Sequence, residues 1–328
     1  MGWDHRLAPP APMTFATIVY IPALEGYWAQ SLEVLRLFLA SLGRTVHEPY
    51  EILVLDNGSC PEVREFLVER HAAGTLDQLF LTQRNFGKVG GWNLLFSVAQ
   101  GEMVAYSDSD VLFISGWLER SKAVLDAFPE AAMVTAQPIP GDLSLHCTAT
   151  LEGAEADPAT ECEEGDDLIP PHYVESQRLG LGESPQRFGA RLERRREVRL
   201  RRGEVEAYVS ASHFQFLGRR DVLASLLPLP SRNPLGNAGI LDDRLDAAGY
   251  WRLSTVDYLV HHMGNRLPDI ARELPWLKGG DEVGSFDVGR HSQQTYISGL
   301  RQRLAESPRF RRWLKAVHRK SYELLYPD

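Results

Sequence analysis

The sequence predicts an α/β fold: a Rossmann-like mixed, mainly parallel sheet flanked by helices, with a charged insertion and a C-terminal helical extension. Two observations predict it. Short apolar runs alternate with segments of helical period through the first 140 residues, and a charge-divided block then interrupts that alternation before it resumes. Runs at 15–21, 52–55, 79–82, 103–107 and 132–136 have the length and β-branched content of buried strands. The intervening stretches at 27–42, 61–72, 89–100 and 115–128 carry helical spacing, with Pro61 and the Ser115-Gly116 pair at their starts. Strand and helix in alternation imply right-handed crossovers and ligand sites at the carboxyl ends of the strands.

The alternation stops between about 140 and 205. Residues 151–167 hold eight Asp or Glu and no Lys or Arg, whereas 187–202 hold eight Arg against two Glu. A mobile surface insertion with mutually attracting or solvated halves fits this division, and a lid or acceptor-docking arm is the sharper alternative. Order returns with 207–217, a helix over 219–227, a Pro-rich loop, a helix over 239–248 and a strand near 256–262. A last helix opens at Ser307-Pro308 with Phe310, Trp313, Leu314 and Val317 on one face and basic residues elsewhere. The divisions expected are a tail at 1–13, a nucleotide half at 14–140, the insertion at 141–205, an acceptor half at 206–266 and a helical extension at 267–328.

Composition excludes several classes. The 328 residues are 44% hydrophobic, and 44 carboxylates exceed 35 Lys and Arg, so no general positive field gathers a nucleic acid. Cys60, Cys147 and Cys162 make no C-x-x-C pair and are too few for a disulfide framework. No run approaches the roughly 18 apolar residues of a membrane span, and the proline-rich start lacks a signal-peptide core. A cytoplasmic protein is expected. The basic amphipathic terminal helix leaves peripheral membrane contact open but not favoured, and a homo-oligomer is also left open.

The chemistry centres on Asp108-Ser109-Asp110, directly after a predicted strand. A D-x-D triplet alone arises about once by chance in a chain of this length. At a sheet's carboxyl edge, however, two clustered carboxylates repel unless a cation joins them, and beside a diphosphate they suit Mg2+ or Mn2+. A turn in which both aspartates cap backbone is the structural alternative. The Gly87-x-x-Gly90-Gly91 cluster lacks dinucleotide-fold spacing, and no P-loop occurs.

Read together, IPALEGY (21–27), VLDNGS (54–59), QRNFGKVGGWN (83–93), GEMVAYSDSD (101–110) and GWLE (116–119) resemble the nucleotide-binding half of glycosyltransferase family 2, a GT-A type fold. The resemblance covers about residues 15–140. It implies that Pro22, Ala23, Leu24 and Glu25 line a nucleoside pocket and that Asp56 accepts a hydrogen bond from the base, as uracil would offer. Arg84, Asn85, Gly87, Lys88 and Asn93 fall in the turn and helix that approach the nucleotide. Asp108 and Ser109 would meet the donor, and Asp108 and Asp110 the metal. Leu24-Glu25 and Ser109 depart from the residues usual in the family, which leaves the base and sugar open.

Further on, HFQFLGRRDVL (213–223) resembles the family's acceptor floor, with His213 and Gln215 as acceptor-binding candidates. ILDDRLDAAGYWRLSTVDYLVHHMGN (240–265) resembles its acidic helix and closing His segment, but an ungapped alignment sets Asn237 and Ala238 where acids are usual. Asp242 or Asp243 is therefore the candidate general base and His262 a candidate metal ligand, with a buried structural His as the alternative. The implied activity is a metal-dependent, inverting transfer from a nucleoside diphosphate sugar, UDP-sugar favoured, to an acceptor hydroxyl of unknown identity. The rivals are a sugar nucleotidyltransferase and a catalytically degenerate nucleotide-binding module.

Overall fold

The computed structural model describes residues 9–231 and 238–268. Five parallel-type elements lead: β1 (Met13–Val19), α1 (Ser31–Thr45), β2 (Tyr50–Asp56), α2 (Pro61–Ala72) and β3 (Gln78–Leu81). They are followed by α3 (Gly87–Val98), β4 (Met103–Asp108), β5 (Val111–Phe113), α4 (Trp117–Ala127) and β6 (Ala131–Thr135). The next segment contains α5 (Thr148–Ala156), β7 (Glu161–Gly165), α6 (Pro171–Gly180), α7 (Pro185–Leu192), β8 (Glu197–Arg202) and β9 (Val205–Val209). The last described elements are β10 (Gln215–Arg219), α8 (Arg220–Ser225), α9 (Gly239–Ala247), β11 (Trp251–Thr255) and β12 (Val260–His262).

Ten strands form one sheet in the order β3-β2-β1-β4-β10-β6-β11-β9-β8-β7. The stretch of sheet from β3 to β4 is parallel throughout, as is the β6–β11 pair. β10 enters antiparallel between β4 and β6, and β9, β8 and β7 extend the edge antiparallel. The architecture is therefore the mixed α/β sheet flanked by helices that the apolar alternation predicts. Its two faces are packed by separate cores. Phe15, Phe38, Phe113 and Trp117 cluster on one face, and Trp92, Phe96, Tyr106 and Phe216 on the other.

The stretch at 207–217 is two strands. Ser210 turns at φ +106, so β9 pairs with β8 and β11 while β10 pairs with β4 and β6. The strand read near 256–262 is confined to β12, and the sequence reading misses β11 before it, because Arg252 and Ser254 are buried in β11 and mask its apolar pattern. β12 leaves the main sheet to pair with β5. The helix at Ser307-Pro308 and most of the 267–328 extension lie outside the described residues.

The charge division at 151–202 has a geometric expression. β7 and β8 pair antiparallel with Glu161 opposite Arg201 and Glu163 opposite Arg199. Both pairs are ion-paired, and Arg196 holds Glu164 at 2.8 Å. Exposed pairs of this kind contribute only about 0–1 kcal/mol each, so their main effect is on register: a one-residue slip would break every pair. Between β7 and β8 the chain makes a helical excursion through α6 and α7.

One glycine tests the close packing at the start of β4. A Cβ on Gly101 would lie 2.5 Å from the backbone nitrogen of Thr14 and 2.6 Å from the Met13 carbonyl carbon, and neither can move without disturbing β1. Gly101→Ala is expected to destabilise the fold by about 2 kcal/mol. Urea denaturation checks this, with the midpoint falling and the slope unchanged.

Candidate active site

β1 lies between β2 and β4, with Val19 opposite Asp56 and Ile18 opposite Asp108. Asp56 and Asp108 thus stand at adjacent strand ends on either side of β1, about 10 Å apart by two strand spacings. Pro22, Ala23, Leu24 and Glu25 follow β1 at the same edge.

Asp56 is fully buried. Its Oδ1 accepts the Ser59 amide at 3.0 Å, and Arg64 Nε lies 3.5 Å from Oδ2, which has no hydrogen-bond partner. Beside it, Asn57 and Asn85 build the turn into α3. Asn57 Oδ1 accepts the Phe86 amide at 2.8 Å, Asn57 Nδ2 donates to Asn85 Oδ1 at 2.9 Å, and Asn85 Oδ1 also accepts the Gly87 amide at 2.7 Å. Gly87 has φ +70, a conformation most side chains avoid, which fixes glycine at the helix entrance. Arg84 precedes this turn on the surface, and its carbonyl accepts the Thr82 hydroxyl at 2.9 Å. Asn93, one turn into α3, is committed elsewhere: its amide group exchanges hydrogen bonds with the Leu229 backbone at 2.8 and 2.7 Å.

Lys88 Nζ reaches across to Asp108, 2.6 and 2.7 Å from its two oxygens, and Tyr106 donates to Asp108 Oδ1 at 2.9 Å. Burial, reinforced by the Asp108 charge, raises the Tyr106 phenol well above its usual range, so it stays a donor. Ser109 occupies the turn between β4 and β5 and is half-buried. After that turn, the β5–β12 pairing sets His262 opposite Val111, and Met263 N donates to the Asp110 carbonyl at 2.8 Å. Asp108, Asp110 and His262 each present a ligand atom, all within 4.8 Å of one another.

Three features of this cluster fit a divalent cation. Asp110 Oδ1 is shut off from solvent without a hydrogen-bond partner, an arrangement costing about 1–3 kcal/mol if nothing ligates it. His262 Nδ1 lies 2.9 Å from the Gly180 carbonyl, which fixes the proton on that nitrogen. The Nε2 lone pair then faces Asp110 Oδ2 at 3.4 Å, and two such atoms approach only with a proton or metal between them. Burial raises the Asp110 carboxyl above the usual range, opposed by His262 and reinforced by Asp108. Gly180 ends α6, so the charged insertion supplies a partner to this cluster. A cavity of about 100 Å³ opens beside it, lined by Gln137, Gln177, Arg191, Ser212, Tyr258 and His262 among others.

The acceptor-side candidates lie deeper. Gln215 is buried in β10 and accepts the Ala136 amide at 2.9 Å, so it braces β6. Asp242, 4% exposed at the start of α9, is paired with buried Arg252 at 3.0 Å, and His213 Nδ1 lies 3.5 Å from its other oxygen. Asp243 points elsewhere and meets His146 Nδ1 at 2.7 Å. Sequence reasoning missed Arg252, although a lone arginine within WRLST at a strand signals a buried partner. It also missed Gly180, Gln137, Gln177 and Tyr258, for which no local pattern exists.

A family model described as glycosyl transferase family 2 matches residues 19–155, less than half of the chain. Among curated proteins none matches. Solved structures similar to the chain include S. aureus TarS residues 1–349, at 14% identity and TM-score 0.43, covering 76% of this chain and 59% of that one. GalNAc-T7 with UDP, GalNAc and Mn2+ is similar at 14% identity and TM-score 0.48, covering 77% and 43%. The mannosyltransferase PcManGT from Pyrobaculum calidifontis with GDP-Man and Mn2+ is similar at 14% and 0.45, covering 79% and 59%. The chain spans about two fifths to three fifths of the length of these structures.

Proposed function

From the match of residues 19–155 to the glycosyl transferase family 2 model, we propose that the protein transfers a sugar from a nucleoside diphosphate sugar to an acceptor hydroxyl, with a divalent cation at Asp108, Asp110 and His262. The observation that carries this reading is the Asp110 carboxylate at the carboxyl edge of the sheet, with one oxygen shielded and unpartnered and the other 3.4 Å from a histidine lone pair. A cation held there supplies Lewis-acid stabilisation to the departing diphosphate. The chain's own groups do the rest. Lys88, beside Asp108, stands ready to meet phosphate charge, and Pro22 to Glu25 with Asp56 border the nucleoside end. The mixed oxygen and nitrogen ligand set favours Mn2+ over Mg2+, because imidazole is a poor ligand for the harder ion. Inversion at the anomeric carbon follows if the acceptor approaches from the side away from the diphosphate.

The experiment is incubation with UDP- and GDP-sugars under Mn2+ or EDTA, followed by assay of released diphosphate. Mn2+-dependent release supports the reading; no release from any of them opposes it. Formation of a sugar nucleotide from nucleoside triphosphate and sugar phosphate would instead favour a nucleotidyltransferase.

UDP preference rests on Asp56, whose buried carboxylate only accepts. Asp56→Asn is expected to weaken UDP binding about tenfold while changing GDP binding less, since the amide also donates and loses the pairing with Arg64. Calorimetric titration of both nucleotides checks it, and equal binding of UDP and GDP by the parent protein would remove the assignment.

A further inference from the structure

The glycosyltransferase reading requires a group that removes the acceptor proton, and the acid at the start of α9 is poorly placed to do so alone. Asp242 is 4% exposed, and its Oδ1 is 3.0 Å from Arg252 Nη2, itself 3% exposed. Arg252 is fixed in turn by the carbonyls of His146 and Ala211 at 3.0 and 2.6 Å. A carboxylate paired with a buried guanidinium cannot swing outward without breaking the pair. Its second oxygen faces a different group: Nδ1 of His213, at 3.5 Å, with that nitrogen shielded from solvent and without a hydrogen-bond partner.

His213 sits where a proton acceptor is needed. It directly precedes Phe214, whose carbonyl accepts the Asp108 amide at 2.7 Å, so its backbone is tied to the end of β4. Its ring packs edge-on against Trp92 with centroids 6.1 Å apart, and Lys88 Nζ, bonded to Asp108, lies 5.5 Å from the same indole. The His213 side chain is 37% exposed although Nδ1 is not, so the far edge of the ring is the one open to solvent.

We infer that His213 is the catalytic base and Asp242 its positioning residue, an Asp–His pair rather than a lone carboxylate. In the working pair Asp242 would close from 3.5 Å to accept the Nδ1 proton and leave Nε2 with a free lone pair, the division of roles that such pairs use elsewhere. In the step, the acceptor oxygen bonds to the anomeric carbon as its proton passes to Nε2. The bond from that carbon to the diphosphate oxygen breaks, and its electron pair leaves with the diphosphate. Arg252, 3.0 Å from the other Asp242 oxygen, holds that carboxylate in its orientation.

The inference rests on the proposed transfer, so its test begins with the UDP- or GDP-sugar that the wild type hydrolyses with Mn2+, water serving as acceptor. His213→Gln and His213→Ala are expected to lower kcat by about 100-fold to 10,000-fold with donor KM within threefold of wild type. Added imidazole should restore at least tenfold of the loss in His213→Ala, which a structural role would not allow. Asp242→Asn should lower kcat about tenfold or more at unchanged KM, without rescue by imidazole. Thermal melts and Mn2+–UDP titrations of each variant establish that the fold and donor site persist. Variants that retain kcat within threefold, or a His213→Ala that imidazole fails to restore, overturn the pair. A wild type that releases diphosphate from no sugar nucleotide overturns the transfer reading itself, and the base with it.

Discussion

Asp110→Ala is expected to abolish Mn2+-dependent nucleotide binding, weakening it by about 100-fold or more, while the thermal melt stays near that of the wild type. The two outcomes separate because the side chain and backbone of Asp110 have different tasks. The carbonyl accepts Met263 N and holds β12 beside β5, and alanine preserves that bond. The carboxylate has one solvent-shielded, unpartnered oxygen and another 3.4 Å from His262 Nε2, so its removal takes a ligand from the proposed cation cluster. Binding should also depend on pH. Burial lifts the Asp110 carboxyl, and a protonated carboxyl cannot ligate, so Mn2+ affinity falls on acidification starting above the ordinary carboxylate range. Titration of Mn2+ into the nucleotide-bound protein at several pH values measures this. Equal affinity of Asp110→Ala and wild type for Mn2+–UDP would place the metal elsewhere.

The second large effect concerns the helical excursion between β7 and β8. Replacement of 170–192 by a short Gly-Ser linker leaves the β7–β8 ladder, the Ile169 amide bonded to Glu197 Oε2 at 2.8 Å and the Tyr208 hydroxyl bonded to the Leu168 carbonyl. The sheet should therefore persist. What is lost is the Gly180 carbonyl that orients His262, together with Gln177 and Arg191 of the cavity wall. Loss of a partner that orients a metal ligand typically weakens metal binding about 10–100-fold, and loss of the cavity wall should abolish transfer. Mn2+ titration and diphosphate release measure the two effects separately. Full Mn2+ affinity and full turnover in the excised protein would show that the excursion serves neither the metal cluster nor the acceptor.

The first 140 residues were legible because their signals are local. The runs over β1, β2, β4 and β6 are apolar on both faces, as strands covered by helices must be, and Asp108 to Asp110 immediately follow one of them. Asp110 and His262 lie far apart in the chain, and only the β5–β12 pairing makes them neighbours. The resemblance proposed His262 as a ligand, yet nothing in its own surroundings named Gly180 as the atom that turns its ring. Asp242 shows the opposite limit. On the helix alone it has the position of a base, whereas Arg252 and His213, from β11 and the segment before β10, decide what its two oxygens can do. The charge runs at 151–167 and 187–202 suggest halves that attract each other or stay solvated, but which acid meets which arginine emerges only across the β7–β8 ladder.

The central claim, a metal-dependent sugar-nucleotide site at the carboxyl ends of β1, β2 and β4, is tested most directly by thermal shift with UDP, GDP and other nucleoside diphosphates, each with Mn2+ and with EDTA. A ligand that binds only the native state raises its melting temperature, the added stability growing as RT ln(1 + L/Kd), where L is the free ligand concentration. The account predicts a clear stabilisation by one nucleoside diphosphate, UDP foremost, that requires Mn2+ and disappears in Asp110→Ala. No shift with any nucleotide, or a shift of equal size in EDTA, would contradict it.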